Sequence, residues 1–155
     1  MPKEQIAGLT IDFEPDAAQD TVDAIHAGLS AYNRRVLGGE QYAPLRWIAR
    51  DADGQIAGGL LGDLYFNWLY IAILWVREDQ RGRGIGSRLM ALAEEYAAAQ
   101  GRTHVHVDTF DFQAPDFYRR HDYTEFGRLG PYGDGHIRFY FHKALSAAQP
   151  DQAAP

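Results

Sequence analysis

Residues 76–87 of the chain read VREDQRGRGIGS and directly follow an apolar segment, LYIAILWV, at residues 69–76. An eight-residue run that is apolar on both faces is typical of a central strand covered from both sides. Beyond the glycines, apolar residues recur at spacings of three and four and predict a helix from Gly84 to Gln100. The pattern therefore predicts a strand, a glycine-rich turn and a helix in succession.

The turn itself has the chemistry of an anion-binding site. Gly82, Gly84 and Gly86 alternate with other residues and leave the backbone bare of side chains. The N–H groups of the first helical turn have no partner within the helix, and the helix dipole adds positive potential there. These donors form a concave site suited to a pyrophosphate, with Arg81 and Arg83 adding charge at its rim.

Three other interpretations of the turn fit less well. A P-loop requires Gly-Lys-Ser/Thr, and residues 76–87 contain no lysine. A dinucleotide-binding fingerprint requires Gly-x-Gly-x-x-Gly, whereas Ser87 stands at the third glycine position and no acidic strand end follows about twenty residues later. A turn without a ligand is disfavoured because glycines lower stability unless the backbone requires them.

The rest of the chain predicts a mixed α/β (α+β) fold. Alternating and periodic patterns, with a tight turn at Asp53-Gly54, predict strands at 8–14, 45–50, 55–65, 104–109, 123–127 and 137–143, and helices at 16–37 and 115–120. Hairpins combined with strand–helix–strand crossovers predict a central mixed sheet of about six to seven strands with helices on both faces. We expect a single domain over residues 1–145 and a disordered tail over 146–155.

Composition excludes several classes of protein. The 155 residues include no cysteine, which excludes disulfides, thiolate metal sites and a cysteine nucleophile. The net charge of −6 gives no global basic field for nucleic acid. The longest apolar run has eight residues, and the N-terminus lacks a signal-peptide pattern, so we expect no membrane partner and a cytoplasmic location.

Two motifs resemble those of the GNAT superfamily of N-acetyltransferases. Arg81-x-x-Gly84-x-Gly86 resembles its acetyl-CoA signature, Gln/Arg-x-x-Gly-x-Gly/Ala, and residues 111–123, DFQAPDFYRRHDY, resemble its Asn-x-x-Ala-x-x-x-Tyr-x-x-x-Gly-Phe segment. The resemblance covers residues 8–143. It implies a GNAT-like, mostly antiparallel sheet, acetyl-CoA as cosubstrate without a metal, and transfer of an acetyl group to a primary amine of a small molecule or peptide. It leaves open whether the protein is a homodimer.

The resemblance also implies roles for individual residues. The Leu74 amide would polarise the thioester carbonyl, and Tyr118 would donate a proton to the departing thiolate. Asp111 stands at the asparagine position of the second motif and is assigned to the cofactor. The backbone expected to contact the pantetheine arm and the pyrophosphate comprises Leu74, Trp75, Val76, Arg81, Gly82, Arg83, Gly84, Ile85, Gly86 and Ser87.

The chain departs from the family pattern at the general base. Many members carry a glutamate on the central strand, where this chain has Tyr70. Asp63, Asp108, Asp111, the nearby histidines and an ordered water all remain candidates. Because the glutamate is missing, a non-catalytic acyl-CoA sensor or scaffold is the alternative function.

The acceptor amine is not identified by the sequence. Asp63, Trp68, Asp108 and His136 are the candidates for its binding site. The run His104-x-His106-x-Asp108 places three possible metal ligands on one strand face. The run resembles the His-x-His-x-Asp run of metal-dependent hydrolases, which needs a further histidine after the aspartate, where this chain has Thr109. Alternating polar residues on a strand are also ordinary, so we predict no metal site.

Overall fold

The computed structural model describes residues 4–37 and 42–146. The chain forms two compact units, Met1–Glu40 and Gln41–Pro155. We describe each by itself, and the single domain over residues 1–145 stays a prediction. The predicted tail lies, from residue 147 onward, outside the described residues.

The first unit contains a small hairpin and one helix. Strands β1 (Glu4–Ile6) and β2 (Leu9–Ile11) pair antiparallel, and α1 spans Gln19–Leu37. One strand was predicted over 8–14, but Ala7 and Gly8 have φ angles of 52° and 80°. Two consecutive residues with positive φ form the tight turn that joins paired strands. The predicted helix stop at Gly38-Gly39 lies outside the described residues.

The second unit contains a six-stranded sheet over the described residues 42–146, in the order β3-β4-β5-β6-β8-β7. All neighbouring strands are antiparallel except β5 and β6. This arrangement confirms the predicted mixed, mostly antiparallel α+β fold. The elements are β3 (Tyr42–Arg50), β4 (Ile56–Tyr65), β5 (Trp68–Val76), a 3₁₀ turn (Glu78–Gln80), α2 (Ile85–Ala99), β6 (His104–Phe110), α3 (Pro115–Arg119), β7 (Thr124–Tyr132) and β8 (His136–Ala144).

One face of this sheet carries the hydrophobic core. Leu60, Leu69, Ile71, Val105 and Phe141 are fully buried there, and each contributes about 1.5–3 kcal/mol by leaving water. Both α2 and α3 pack on this face, since their buried residues belong to the same cluster. Helices were predicted on both faces of the sheet. The helix for the opposite face would be α1, which belongs to the first unit, so that part stays a prediction.

Strands β5 and β6 pair over only part of their length. The parallel pairing ends at Ile71 and Val107, although both strands continue beyond these residues. In the same region Ala72 has no partner on β4, because Gly62 pairs with Ile71 and Leu61 pairs with Ile73. Such a bulge bends a strand and increases its twist. The second half of β5 is thereby free of β6, and a wedge opens between them.

Candidate active site

A cleft of about 620 Å³ fills the wedge between β5 and β6. One wall is the second half of β5 and the other is β6 with the loop that leads into α3. The residues that line it are Ala72, Ile73, Leu74, Trp75, Val76, Arg81, Val107, Asp108, Thr109, Phe112, Gln113, Ala114, Phe117 and Tyr118. The cleft therefore contains several residues that the sequence motifs single out.

The register of β4 and β5 directs backbone groups of β5 that do not pair with β4 toward the cleft. The Arg77 amide donates to the Ala57 carbonyl oxygen at 2.9 Å, which makes these two residues a hydrogen-bonded pair. Because such pairs alternate along an antiparallel ladder, Leu74, opposite Leu60, is in a pair that is not hydrogen-bonded to β4. The N–H and C=O groups of Leu74 and Val76 therefore point away from β4, toward the wedge.

The glycine-rich turn forms a second, smaller pocket of about 350 Å³. Gly82 and Gly84 have φ angles of 72° and 78°, a backbone conformation that residues other than glycine rarely adopt. Gly84 precedes the first residue of α2 and makes no side-chain capping bond. The first N–H groups of α2 are therefore available to donate hydrogen bonds to a ligand. Gln80, Arg81, Gly82, Gly84, Ile85, Gly86 and Ser87 line this pocket, together with Val76, Phe117 and Arg120.

The two cavities adjoin, since they share Val76, Arg81 and Phe117 as lining residues. Arg81 directs its Nε to the Val76 carbonyl oxygen at 3.0 Å, while Arg83 donates from Nη1 to Gln80 Oε1 at 2.7 Å and lines neither cavity. Arg120 lines the smaller pocket and was missed by the sequence analysis. Its position in the second motif, two residues after Tyr118, was the only available signal.

Tyr118 projects from α3 into the cleft with only 6% of its surface exposed. Pro115 begins the helix at a position where the missing N–H costs nothing. Burial, with a smaller effect from the charge of Asp108, raises the pKa of Tyr118 to about 12. The phenol is therefore protonated at neutral pH, as a proton donor must be.

Asp108 is the carboxylate among the residues that line this cleft. Its Oδ2 accepts a hydrogen bond from Arg138 Nε at 2.6 Å, and its Oδ1 lies 3.4 Å from the Tyr70 hydroxyl. The hydrogen bond to Asp108 raises the pKa of Arg138. Burial, and then the charge of Asp108, raise the pKa of Tyr70. Arg138 was not among the residues singled out from the sequence.

Several other predicted site residues are not among those that line the cleft. Asp63 accepts a hydrogen bond of 2.7 Å from the Tyr42 hydroxyl. Asp111 accepts from the Ile137 amide at 3.2 Å and lies 3.0 Å from His136 Nδ1. None of these residues lines the cleft. The assignment of Asp111 to the cofactor and of Asp63 and His136 to the acceptor site stays a prediction.

Trp68 belongs to a separate aromatic depression of about 590 Å³. Its ring stacks on His104 at a centroid distance of 4.6 Å and meets His106 edge-on at 5.7 Å. Burial lowers the pKa of His106, with a smaller opposing effect from the charge of Asp108. Across residues 4–37 and 42–146, no three histidine or acidic side chains group as metal ligands would. No helix in those same ranges is both long and apolar enough to cross a membrane.

Residues 12–123 match the sequence model of the acetyltransferase (GNAT) family. The chain belongs to the GNAT family. An acetyltransferase of Agrobacterium fabrum is 38% identical over 112 residues, which are 72% of this chain and 82% of the relative. A blasticidin-S acetyltransferase of Streptomyces morookaense is 43% identical over 83 residues, 53% of this chain and 61% of the relative.

Solved structures show the same GNAT architecture. A crystal structure assigned to an acetyltransferase from Agrobacterium tumefaciens matches with a TM-score of 0.82 and 32% identity. The match covers 88% of this chain and 99% of the other. The family assignment and the resemblance found in the two motifs therefore agree.

Proposed function

We propose that the protein transfers the acetyl group of acetyl-CoA directly to a primary amine of a small molecule. The observation that supports this most strongly is the junction of the wedge with the turn pocket. Backbone donors of β5 face the wedge, and bare backbone N–H groups at the start of α2 face the pocket. Acetyl-CoA has the same two parts in succession. Its thioester-bearing pantetheine arm contains amides that can pair with the β5 backbone, and its diphosphate is an anion that suits the turn pocket.

The residues of the cleft fit the chemistry of acyl transfer. The amine nitrogen attacks the thioester carbonyl carbon, and negative charge develops on the carbonyl oxygen. The Leu74 N–H, which is free of β4, would stabilise that charge. When the C–S bond breaks, Tyr118 would protonate the thiolate. The chain contains no cysteine to carry the acetyl group, which favours direct transfer over a covalent relay.

The relatives favour a small molecule as acceptor over a peptide. The relative from Streptomyces morookaense is named for an acetyltransferase of the antibiotic blasticidin S. The net charge of −6 is compatible with a cationic amine. We therefore place small cationic amines, antibiotics among them, ahead of peptide termini.

The test is a screen of primary amines, including blasticidin S, with acetyl-CoA and detection of released CoA thiol. Because the protein has no cysteine, thiol reagents report CoA alone. Turnover with at least one amine is expected, and mass spectrometry should show the acetylated product. Tight acetyl-CoA binding without turnover on any amine would instead support the acyl-CoA sensor, and absence of acetyl-CoA binding would contradict both.

A further inference from the structure

The position of the usual glutamate base is occupied by Tyr70, so the reaction needs another acceptor for the amine proton. A primary alkylamine such as a lysine side chain has a pKa near 10.4 and is protonated at neutral pH. Only the neutral amine can attack a thioester. Any proton acceptor must therefore lie close to the cleft in which the thioester is proposed to bind.

The structure discriminates among the acidic candidates. Asp63 and Asp111 are absent from the cleft lining and are hydrogen-bonded elsewhere, to Tyr42 and to the Ile137 amide. Asp108 lines the cleft, and its side chain is only 16% exposed. Asp108 is on β6, the strand next to Tyr70, and lies two residues beyond His106, the residue paired with Tyr70.

The two oxygens of Asp108 have different surroundings. Arg138 contacts Oδ2 through both Nε and Nη2, so its positive charge lies against that one oxygen. Within residues 4–37 and 42–146, the hydrogen-bond donor to Oδ1 is the Tyr70 hydroxyl, at a long distance of 3.4 Å. An ionised carboxylate oxygen accepts two hydrogen bonds. Oδ1 therefore retains capacity for a further donor.

Asp108 also shares the cleft with the proposed acid. Tyr118 and Asp108 both line it, one from α3 and the other from β6. They lie close enough for the charge of one to act on the other. A phenol that can donate a proton and a carboxylate that can accept one therefore line the same cavity.

We propose that Asp108 Oδ1 accepts the proton of the attacking amine, with Tyr70 and Arg138 as positioning residues. The carboxylate of the family would thus be supplied by the neighbouring strand. The inference rests on the proposed function. The ammonium first gives a proton to Oδ1, which releases it to solvent, and the neutral amine then attacks. As the N–C bond forms, a second amine proton passes to Oδ1. The C–S bond then breaks, and Tyr118 gives its proton to the sulfur. Solvent exchange restores the Asp108 carboxylate and the Tyr118 phenol.

The main test is Asp108→Asn in the full chain. Its substrate is the amine that the wild type turns over fastest in the screen of primary amines, which includes blasticidin S. We expect kcat to fall by about 10²- to 10⁴-fold. Acetyl-CoA affinity, measured by calorimetry, should stay within twofold. The matched control is Glu95→Gln, an exposed carboxylate on α2 paired with Arg88, which should retain wild-type turnover.

Rescue provides a result that a structural role would not produce. In the Asp108→Asn background, Tyr70→Glu returns a carboxylate to β5 and should recover kcat at least tenfold. Tyr70→Phe and Arg138→Lys should lower kcat less than Asp108→Asn does, without changing the KM for acetyl-CoA. If Asp108→Asn does not fold, Asp108→Glu keeps the charge but moves the oxygens, and kcat should fall about tenfold.

The outcomes separate the two proposals. A wild-type protein that turns over no amine contradicts the proposed function. An active wild type whose Asp108→Asn variant keeps kcat within threefold contradicts only the role of Asp108. Where Asp108→Asn does not fold, an Asp108→Glu variant with wild-type kcat contradicts the role of Asp108.

Discussion

The imidazole Nε2 of His121 lies 2.9 Å from the Ser87 hydroxyl oxygen. Its Nδ1 lies 2.8 Å from the Phe117 carbonyl oxygen. Because a carbonyl oxygen only accepts, Nδ1 carries a proton in this arrangement. The ring therefore joins the end of α3 to the first turn of α2. Ser87 lines the turn pocket, so this contact links the helix that carries Tyr118 to the proposed diphosphate site.

We predict that Ser87→Ala and His121→Ala each weaken acetyl-CoA binding by about 2- to 10-fold. That range corresponds to the net 0.5–1.5 kcal/mol of one hydrogen bond. Calorimetric titration of acetyl-CoA measures it directly. His26→Ala, which removes an exposed histidine on α1, is the control and should leave the affinity unchanged.

The double variant tests whether Ser87 and His121 act as a unit. If they do, the combined loss should be smaller than the sum of the two single losses, because each substitution already breaks the shared contact. Fully additive losses would show that the two residues influence binding independently, contrary to the bridge.

We predict that Tyr118→Phe lowers kcat by about 10²-fold or more, with acetyl-CoA affinity nearly unchanged, since only the proton donor is lost. Steady-state thiol release and calorimetry measure the two quantities. Tyr96→Phe removes a hydroxyl from an exposed tyrosine of α2 and should keep full turnover. An unchanged kcat in Tyr118→Phe would remove Tyr118 from the mechanism.

The parts of the site that the sequence predicted depend on local pattern. The strand, turn and helix of residues 69–100 follow from an apolar run, alternating glycines and a periodic stripe. Arg138 was missed because its contact with Asp108 joins residues thirty positions apart. The bulge at Ala72 depends on the register against β4, which no local signal reports.

The misplaced strand ends have local causes too. Strand β7 extends to Tyr132, five residues beyond the prediction, because Gly127, Gly130 and Pro131 are poor strand formers. In the structure β7 is an edge strand with register shifts near these residues. An edge position tolerates a proline that a central strand excludes.

The buried phenol of Tyr118 predicts a loss of stability at high pH. Its ordinary pKa is 10.0, and burial, with Asp108, raises it to about 12. Between these values the unfolded chain has released the proton and the folded protein has kept it. The contribution of the protonated phenol to the free energy of unfolding is therefore fully present below about pH 10. It is lost as pH rises toward 12, at about 1.4 kcal/mol per pH unit.

Urea unfolding of the wild type and Tyr118→Phe between pH 8 and pH 11 measures this effect. The difference in unfolding free energy between the two proteins should change above about pH 10, in favour of Tyr118→Phe. A difference that is constant across the whole range would show that the phenol titrates alike in both states.

We predict that Asp122→Gly stabilises the protein by about 0.5–1 kcal/mol. Asp122 has a φ of 64°, a left-handed conformation that is costly for residues with a Cβ. It stands where the family motif has glycine. Urea unfolding measures the gain, and Asp122→Asn, which tolerates the same conformation, should stay closer to the wild type. A destabilised Asp122→Gly variant would show that the side chain itself contributes.

We predict that Gly62→Ala destabilises the protein by about 1–3 kcal/mol, the usual cost of overpacking. A Cβ at Gly62 would collide with the backbone carbonyl oxygen of Tyr70, and backbone cannot rotate aside as a side chain can. Gly62 pairs with Ile71, next to the bulge at Ala72. The collision should therefore displace β5 at the point where it leaves β6.

Displacement of β5 also moves Leu74, so Gly62→Ala should weaken acetyl-CoA binding as well as lower the urea midpoint. Gly127→Ala on β7 is the matched control, because a Cβ there meets no atom within 4 Å. It should change neither quantity appreciably. If Gly62→Ala lost stability but bound acetyl-CoA as the wild type does, the shape of the wedge would not depend on this close approach, and the bulge alone would have to hold the two strands apart.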